Sequence, residues 1–216
     1  MDKDKGSGMK YRLVIFDFDG TLADTFSWFL GVANQIADRY DLKHVDEREY
    51  EMLKGYDVRK VIEYLKVPLW KVQLIAAYTR GLMAENIRQV GLFEGIGGVL
   101  RRLSEQGATL AVVSSNSGEN VRGVLGPENA ALIDYYECSV PMFGKPSRFK
   151  KILSKSGISP EETIYIGDEI RDFKATKKVD IAFGAVAWGY NSADSLRAHG
   201  PTELFTRVEE IAERLI

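Results

Sequence analysis

The chain has 216 residues, of which 45% are hydrophobic and 28% charged, and its formal net charge is −2. This is the composition of an ordinary globular protein, and the charge provides no general positive field for nucleic acid. The single cysteine, Cys138, excludes an internal disulfide and favours a reducing cytoplasm. No apolar run reaches the length of a membrane span. We therefore expect a cytoplasmic protein with neither nucleic-acid nor membrane partners, acting as a monomer or small homo-oligomer.

The first part of the chain divides into three stretches. Residues 1–9 are charged and contain Gly and Ser, and we expect them to be a disordered leader or an expression remnant. An apolar run, 11–16, then predicts a buried strand that ends at Asp17. Residues 25–88 change to apolar stripes at helical spacing, with no convincing strand. This block predicts an all-helical insertion after the first strand.

Helices and strands alternate in the rest of the chain. Apolar runs predict strands at residues 109–114, 136–140, 163–166 and 181–188. Helices are predicted between them at 96–106, 118–125, 148–156 and 170–177, and a closing helix at 203–215. Alternation of this kind is typical of an α/β protein with a parallel sheet covered on both faces.

Polar residues follow the predicted strands at their carboxyl ends, where ligands bind in open parallel sheets. They include two aspartates, Asp17 and Asp19, after the first strand, and Asp168 after a later one, with Asp172 four residues on. Unpaired carboxylates are costly in a core, whereas Mg²⁺ prefers oxygen ligands and binds through a few carboxylates and substrate phosphate. The same edge also receives a serine–asparagine pair and a lysine. The set predicts a metal site beside an anion site, which a phosphate ester bound with Mg²⁺ satisfies.

Four motifs occur in order: DFDGTL at 17–22, Ser115-Asn116, GKP at 144–146 and GDEIRD at 167–172. On these motifs the chain resembles the haloacid dehalogenase superfamily over nearly all of residues 10–216. The resemblance implies an α/β fold, with a Rossmann-like three-layer parallel sheet core at 10–24 and 89–216 and an inserted all-helical C1-type cap at 25–88. Segments 92–95, 110–113, 188–190 and 200–205 resemble the phosphoglycolate phosphatase branch.

The resemblance implies a role for each acid of the motifs. Asp17 would attack phosphorus and form an aspartyl-phosphate, a covalent role that carboxylates do serve. Asp19 would protonate the leaving alcohol and then activate water, and its presence favours ester hydrolysis over dehalogenation. Mg²⁺ would be held by the carboxylates of Asp17 and Asp168 and the main-chain carbonyl of Asp19, with Asp172 supporting the metal.

Other residues would hold the substrate. Ser115 and Lys145 would bind phosphate, together with main-chain N–H groups at Phe18, Gly20 and Asn116. Thr21 is expected to orient a carboxylate of the first motif. In the cap, Lys54 and Arg59 are candidates for substrate contacts, and a solvated helix face is an equal alternative for them.

The sequence thus predicts a Mg²⁺-dependent phosphatase for a small phosphorylated molecule, with phosphoglycolate as the leading substrate. Alternatives on the same fold are a pyrophosphatase, a sugar or nucleotide monophosphatase, and a phosphomutase. An alternative of another class is a binding or regulatory protein with low turnover. The intact set of acids argues against that last alternative, because lost catalysis usually shows as a lost acid.

Overall fold

A computed structural model describes residues 9–216. The leader predicted at 1–9 falls outside the described residues except for Met9, which packs against the core. Within the described part of the chain, none of the helices combines the length and apolarity that crossing a membrane requires.

Six parallel strands form one sheet in the order β3-β2-β1-β4-β5-β6. Their bounds are β1 Leu13–Phe16, β2 Thr109–Val113, β3 Tyr135–Glu137, β4 Thr163–Gly167, β5 Ala182–Val186 and β6 Glu203–Phe205. The central strands are buried on both faces, as their continuous apolar runs require. In β1, Val14 and Phe16 join one apolar cluster, whereas Leu13 and Ile15 join the other. The α/β class with a parallel sheet is therefore confirmed.

Ten α-helices accompany the sheet in the described residues. Four lie between β1 and β2: α1 Thr25–Tyr40, α2 Glu47–Leu53, α3 Val58–Tyr64 and α4 Leu69–Glu85. The other six are α5 Ile96–Glu105, α6 Gly118–Ala130, α7 Lys145–Ser156, α8 Ile170–Thr176, α9 Ala193–Arg197 and α10 Glu210–Leu215. The assignment of residues 25–88 to a separate cap domain stays a prediction.

The helical insertion contacts the core through a few polar links. The Asn191 side-chain amide donates to the carbonyls of Lys54 and Tyr56, both at 2.8 Å. Lys174 on α8 forms an ion pair with Asp57, at 2.6 Å. Asn191 also accepts a 2.9 Å hydrogen bond from the N–H of Ile170, so one buried side chain joins the insertion to the start of α8.

Several predicted bounds were wrong. The closing helix is confined to α10, because residues 203–205 pair with β5 as an edge strand and the Glu210 side chain accepts from the N–H of Thr206, at 2.8 Å. The chain of α6 continues past Gly126, where a φ of 70° makes a kink and Pro127 restarts the helix. α7 begins at Lys145, three residues earlier than predicted, since Pro146 suits a first turn.

Candidate active site

The acids from two neighbouring strands meet at the carboxyl edge of the sheet. Asp17 follows β1, Asp168 follows β4, and Asp172 lies in the first turn of α8. One carboxylate oxygen from each lies within 4.8 Å of those from the other two, and all three residues are buried. Pairing of β1 with β4 sets this arrangement, because Phe16 is in register with Ile166.

Lys145 lies between two of these acids. Its ammonium group donates to Asp17 Oδ2 at 2.5 Å, to Asp172 Oδ1 at 2.6 Å and to the Tyr165 hydroxyl at 2.6 Å. Burial alone would lower the pKa of Lys145, but the charges of Asp17 and Asp172 outweigh it and the pKa is raised. The lysine is therefore a buried cation with all three of its donors in use.

Asp168 is held by the turn that follows β1 and by the loop that follows β5. Thr21 Oγ1 donates to Asp168 Oδ1 at 2.9 Å, and the N–H of Tyr190 donates to Oδ2 at 2.7 Å. The prediction that Thr21 orients a carboxylate of the first motif is wrong for its side chain, since the contact is with the fourth motif. A Cβ on Gly20 or on Gly189 would lie 2.3 Å from Asp168 Oδ2, so both positions require glycine.

Burial and mutual repulsion act on the acids of this cluster. Burial first, and then the charges of Glu169, Asp17 and Asp172, raise the pKa of Asp168 well above its usual range. Burial also raises the pKa of Asp172 to about 7, although Lys145 opposes the rise. A nearby cation would stabilise the ionised form of these carboxyls and so lower their pKa values.

The cluster fits a hard divalent cation on three observations. Its donors are all carboxylate oxygens, which Mg²⁺ and similar ions prefer. Asp172 Oδ2 is buried with no hydrogen-bond partner in the described structure, and a buried acceptor of this kind is costly unless something binds it. Four carboxylates, those of Asp17, Asp168, Glu169 and Asp172, lie close together, and Lys145 and Arg171 are the cations that act on them. A buried aspartate site suitable for a divalent metal is thus present.

Asp19 points away from the metal cluster. Its carboxylate accepts from Ser114 Oγ at 3.2 Å and from the Asn116 amide at 3.0 Å. Burial, followed by the charge of Asp17, raises the pKa of Asp19 to about 6. This carboxyl can therefore exchange a proton close to neutral pH.

The predicted phosphate-binding groups lie around the same edge, but most are engaged within the chain. The N–H of Phe18 donates to Asp17 Oδ1 at 2.8 Å, and that of Gly20 to the Ala23 carbonyl at 3.0 Å. The N–H of Asn116 donates to Ser114 Oγ at 2.9 Å. Ser115 is partly buried and lines the cavity that also contains Asp19.

Comparison with known families identifies the chain at this point. The family model described as haloacid dehalogenase-like hydrolase matches residues 14–186, which is most of the sequence. The chain belongs to this family. The match spans the helical insertion and all the strand-end acids.

Relatives agree with a phosphatase within the haloacid dehalogenase-like hydrolases. A phosphoglycolate phosphatase of Synechococcus elongatus is 27% identical over 203 residues, covering 94% of this chain and 96% of its own. Pyrophosphatase PpaX of Oceanobacillus iheyensis is 22% identical over 210 residues, covering 94% of this chain and 96% of its own. The solved structure of a haloacid dehalogenase-like hydrolase from Streptococcus pneumoniae has a TM-score of 0.79 at 18% identity, covering 96% of this chain and 99% of that one. The predicted family, its phosphoglycolate phosphatase-like resemblance and its phosphatase class are confirmed.

The two cap candidates of this hydrolase lie in different places. Lys54 lines the cavity above Asp19, where its ammonium pairs with Glu51 at 2.7 Å. Arg59 is exposed, lines a separate cavity beside α8 and stacks on Phe143. The structure therefore brings Lys54, and not Arg59, to the cavity that contains Asp19.

The sequence did not predict several residues that contact the motif side chains or line the cavity beside them. Tyr165 is a buried β4 residue whose hydroxyl contacts Lys145, and its apolar strand context gave no signal for that role. Ser114, the residue before the predicted pair, is the serine that contacts Asp19. Arg80 on α4 lines the cavity near Asn116, and nothing in its helical stripe distinguished it from a solvated residue.

Proposed function

We propose that this protein is a Mg²⁺-dependent phosphatase that hydrolyses a small phosphate monoester through an aspartyl-phosphate on Asp17. The observation that carries the proposal is the buried arrangement in which Lys145 bridges Asp17 and Asp172, beside an Asp19 carboxyl able to exchange a proton near neutral pH. The family match and the phosphatase names of the relatives support it.

The metal would be held by Asp17, Asp168 and Asp172, together with the main-chain carbonyl of Asp19. When bound, it would neutralise phosphate charge and favour attack at phosphorus. The three carboxylates are held close together by the packing of β1, β4 and α8.

Asp17 is positioned as a nucleophile by two fixed contacts. Lys145 holds one of its carboxylate oxygens and the N–H of Phe18 holds the other. Attack of a carboxylate oxygen on phosphorus forms the acyl-phosphate bond and breaks the bond to the leaving alcohol. On substrate binding, Ser115 would contact the phosphoryl group, and Lys145 and the main-chain N–H groups of Phe18, Gly20 and Asn116 would exchange their present partners for phosphoryl oxygens.

Asp19 would transfer protons in both half-reactions. In the first it gives its proton to the departing alkoxide, and in the second it takes a proton from the water that attacks the aspartyl-phosphate. Ser114 and Asn116 hold its two oxygens, which fixes the carboxyl at the floor of the cavity. The raised pKa suits a group that must be an acid first and a base afterwards.

Phosphoglycolate enters as a substrate candidate because a phosphoglycolate phosphatase is among the relatives. The pyrophosphatase name of another relative keeps pyrophosphate as an alternative. A regulatory protein with low turnover stays the alternative of another class. A cytoplasmic location and a monomer or small homo-oligomer stay predictions.

Phosphate release from a panel of phosphate esters, with and without MgCl₂, tests the proposal. We expect release that a chelator abolishes and that added MgCl₂ restores. Beryllium fluoride should bind to the Asp17 carboxylate, and this complex would mimic the acyl-phosphate. A structure of the complex would show where the fluoride is bound. Absence of release from every ester, or a fluoride complex far from Asp17, would overturn the assignment.

A further inference from the structure

A large cavity lies between the helical insertion and the strand ends. Its volume is about 440 Å³, and its floor includes Asp19, Ser115 and Asn116. Cavities of about 300–1,000 Å³ hold ligands the size of drug molecules. A phosphate ester of a two-carbon acid would leave most of this space unfilled.

The walls of the cavity are mainly apolar. They come from α1 to α4, and they include Phe26, Phe29, Tyr50, Val58, Ile62 and Ile75. These side chains are all partly buried, so the fold leaves apolar surface facing the space above the floor. Such surface favours an apolar group, since burial removes it from water.

The charges around the cavity do not favour a second anion on the substrate. Three of its four cations already have acidic partners: Lys43 pairs with Glu49, Lys54 with Glu51, and Arg171 with Glu169. Asp19 and Glu169 add negative charge to the lining. At these three cations a substrate carboxylate would therefore have to displace an acid or lie near one.

Arg80 is the remaining cation. Within residues 9–216 its side chain has no ion-pair partner, and its carbonyl accepts from the Asn120 amide at 3.1 Å. Asn120 also donates to Asn116 Oδ1 at 2.9 Å, which places the Arg80 main chain beside the floor. The Arg80 main chain therefore lies near the floor, whereas the walls contributed by α1 to α4 are mainly apolar.

We propose that the preferred substrate is a phosphate monoester of an alcohol that carries an aromatic or branched apolar group, seated against the walls of α1 to α4. The inference rests on the proposed function, because it assigns the leaving group of the same reaction. It places phosphoglycolate below such esters in preference.

A matched pair of alkyl esters tests the inference. Phenethyl phosphate and ethyl phosphate release alcohols of similar acidity, so their chemistry is alike and only the apolar group differs. We expect kcat/KM for phenethyl phosphate to exceed that for ethyl phosphate and for phosphoglycolate by about tenfold or more, mainly through KM.

Three variants locate the effect. Ala76 lines the cavity, and Ala76→Leu should remove most of the preference by filling the space that the apolar group would occupy. Ala77→Leu is the matched control on the exposed face of the same helix and should keep the preference. Arg80→Gln should weaken all three esters alike; a loss confined to phosphoglycolate would show a carboxylate clamp and contradict the inference.

The outcomes separate this inference from the proposed function. Equal or better turnover of ethyl phosphate or phosphoglycolate would overturn the inference while leaving the phosphatase in place. If no ester is hydrolysed, the proposed function fails, and calorimetry with MgCl₂ still compares phenethylphosphonate with ethylphosphonate. About tenfold tighter binding of phenethylphosphonate would support the apolar site, and equal dissociation constants would overturn it.

Discussion

The strand ends and the helical insertion solve different problems with different side chains. At the strand ends, Asp17, Lys145 and Asp168 are buried, and each has two or more hydrogen bonds of fixed geometry. In the insertion, the residues that face the cavity are mainly apolar, and few polar links tie it to the core. Directional bonds position reacting groups closely, whereas apolar walls accept a range of shapes. We expect changes in the first region to affect turnover and changes in the second to affect the choice of substrate.

The largest effect should come from Asp17→Asn. The amide keeps the shape but removes the nucleophile and one carboxylate of the metal site, so kcat should fall by about 10⁴-fold or more. Steady-state phosphate release measures the loss. Asp194→Asn, an exposed aspartate, is the control and should retain full activity. Residual activity near that of the unmodified protein would contradict the assignment of Asp17.

Asp19→Asn should come next, with a loss of about 10²-fold or more for poor leaving groups. The loss should be smaller for an aryl phosphate, because its phenolate leaving group can depart without a proton. In the unmodified protein Asp19 must be protonated for the first step, so kcat/KM for ethyl phosphate should fall as pH rises through about 6. Rate profiles against pH for both esters test this. Identical profiles, or equal losses in the variant, would sink the acid role.

Tyr165→Phe should have an intermediate effect. It removes the hydroxyl that accepts from Lys145 but keeps the ring that packs on Phe149. Loss of a hydrogen bond to a charged group costs about 1.5–3 kcal/mol, so we expect kcat/KM to fall by about tenfold to a hundredfold. Tyr135→Phe, whose hydroxyl reaches only the Lys155 carbonyl, is the control. Matching changes in both variants would show that Lys145 does not need Tyr165.

The smallest effect should come from Lys174→Met, which breaks the ion pair with Asp57 between the insertion and the core. Both partners are partly exposed, so the free energy of unfolding should fall by less than about 1 kcal/mol, and high salt should shrink the difference. Urea unfolding measures it, with Lys178→Met as control. A large loss of kcat in Lys174→Met alone would show that the contact serves the strand-end site and not the insertion.

The sequence predicted the core better than its edges. Long apolar runs mark the central strands, because burial on both faces leaves no charged residues in 13–16 or 163–167. The edge strand at 203–205 is short and half-covered, so its residues fitted a helical period as well as an extended one. The Gly126-Pro127 sequence likewise resembles the end of a helix. Only the structure shows that the helix resumes after the kink at Gly126.

The same contrast applies to the site. Asp17 and Asp168 were predictable because charged residues directly after apolar strands have few other uses, and Lys145 was predictable from the GKP motif at 144–146. The contact between Thr21 and Asp168 was not, because it depends on how the turn at Gly20 folds across to β4. Arg59 and Lys54 are close in sequence and similar in charge, yet they face separate cavities, which helix orientation alone decides.

The two glycines that approach Asp168 have a consequence for variation of this protein. Gly20 and Gly189 do no chemistry, yet a methyl group at either would displace the carboxylate or the loop that carries it. A library randomised at these two positions and selected for activity should return glycine almost alone. Gly98 and Gly126 have open space where a Cβ would lie, so these positions should tolerate more replacements, limited at 126 by its φ of 70°. In a mutational scan, intolerance to substitution at Gly20 and Gly189 would thus locate the active centre, although neither residue has a side chain that reacts.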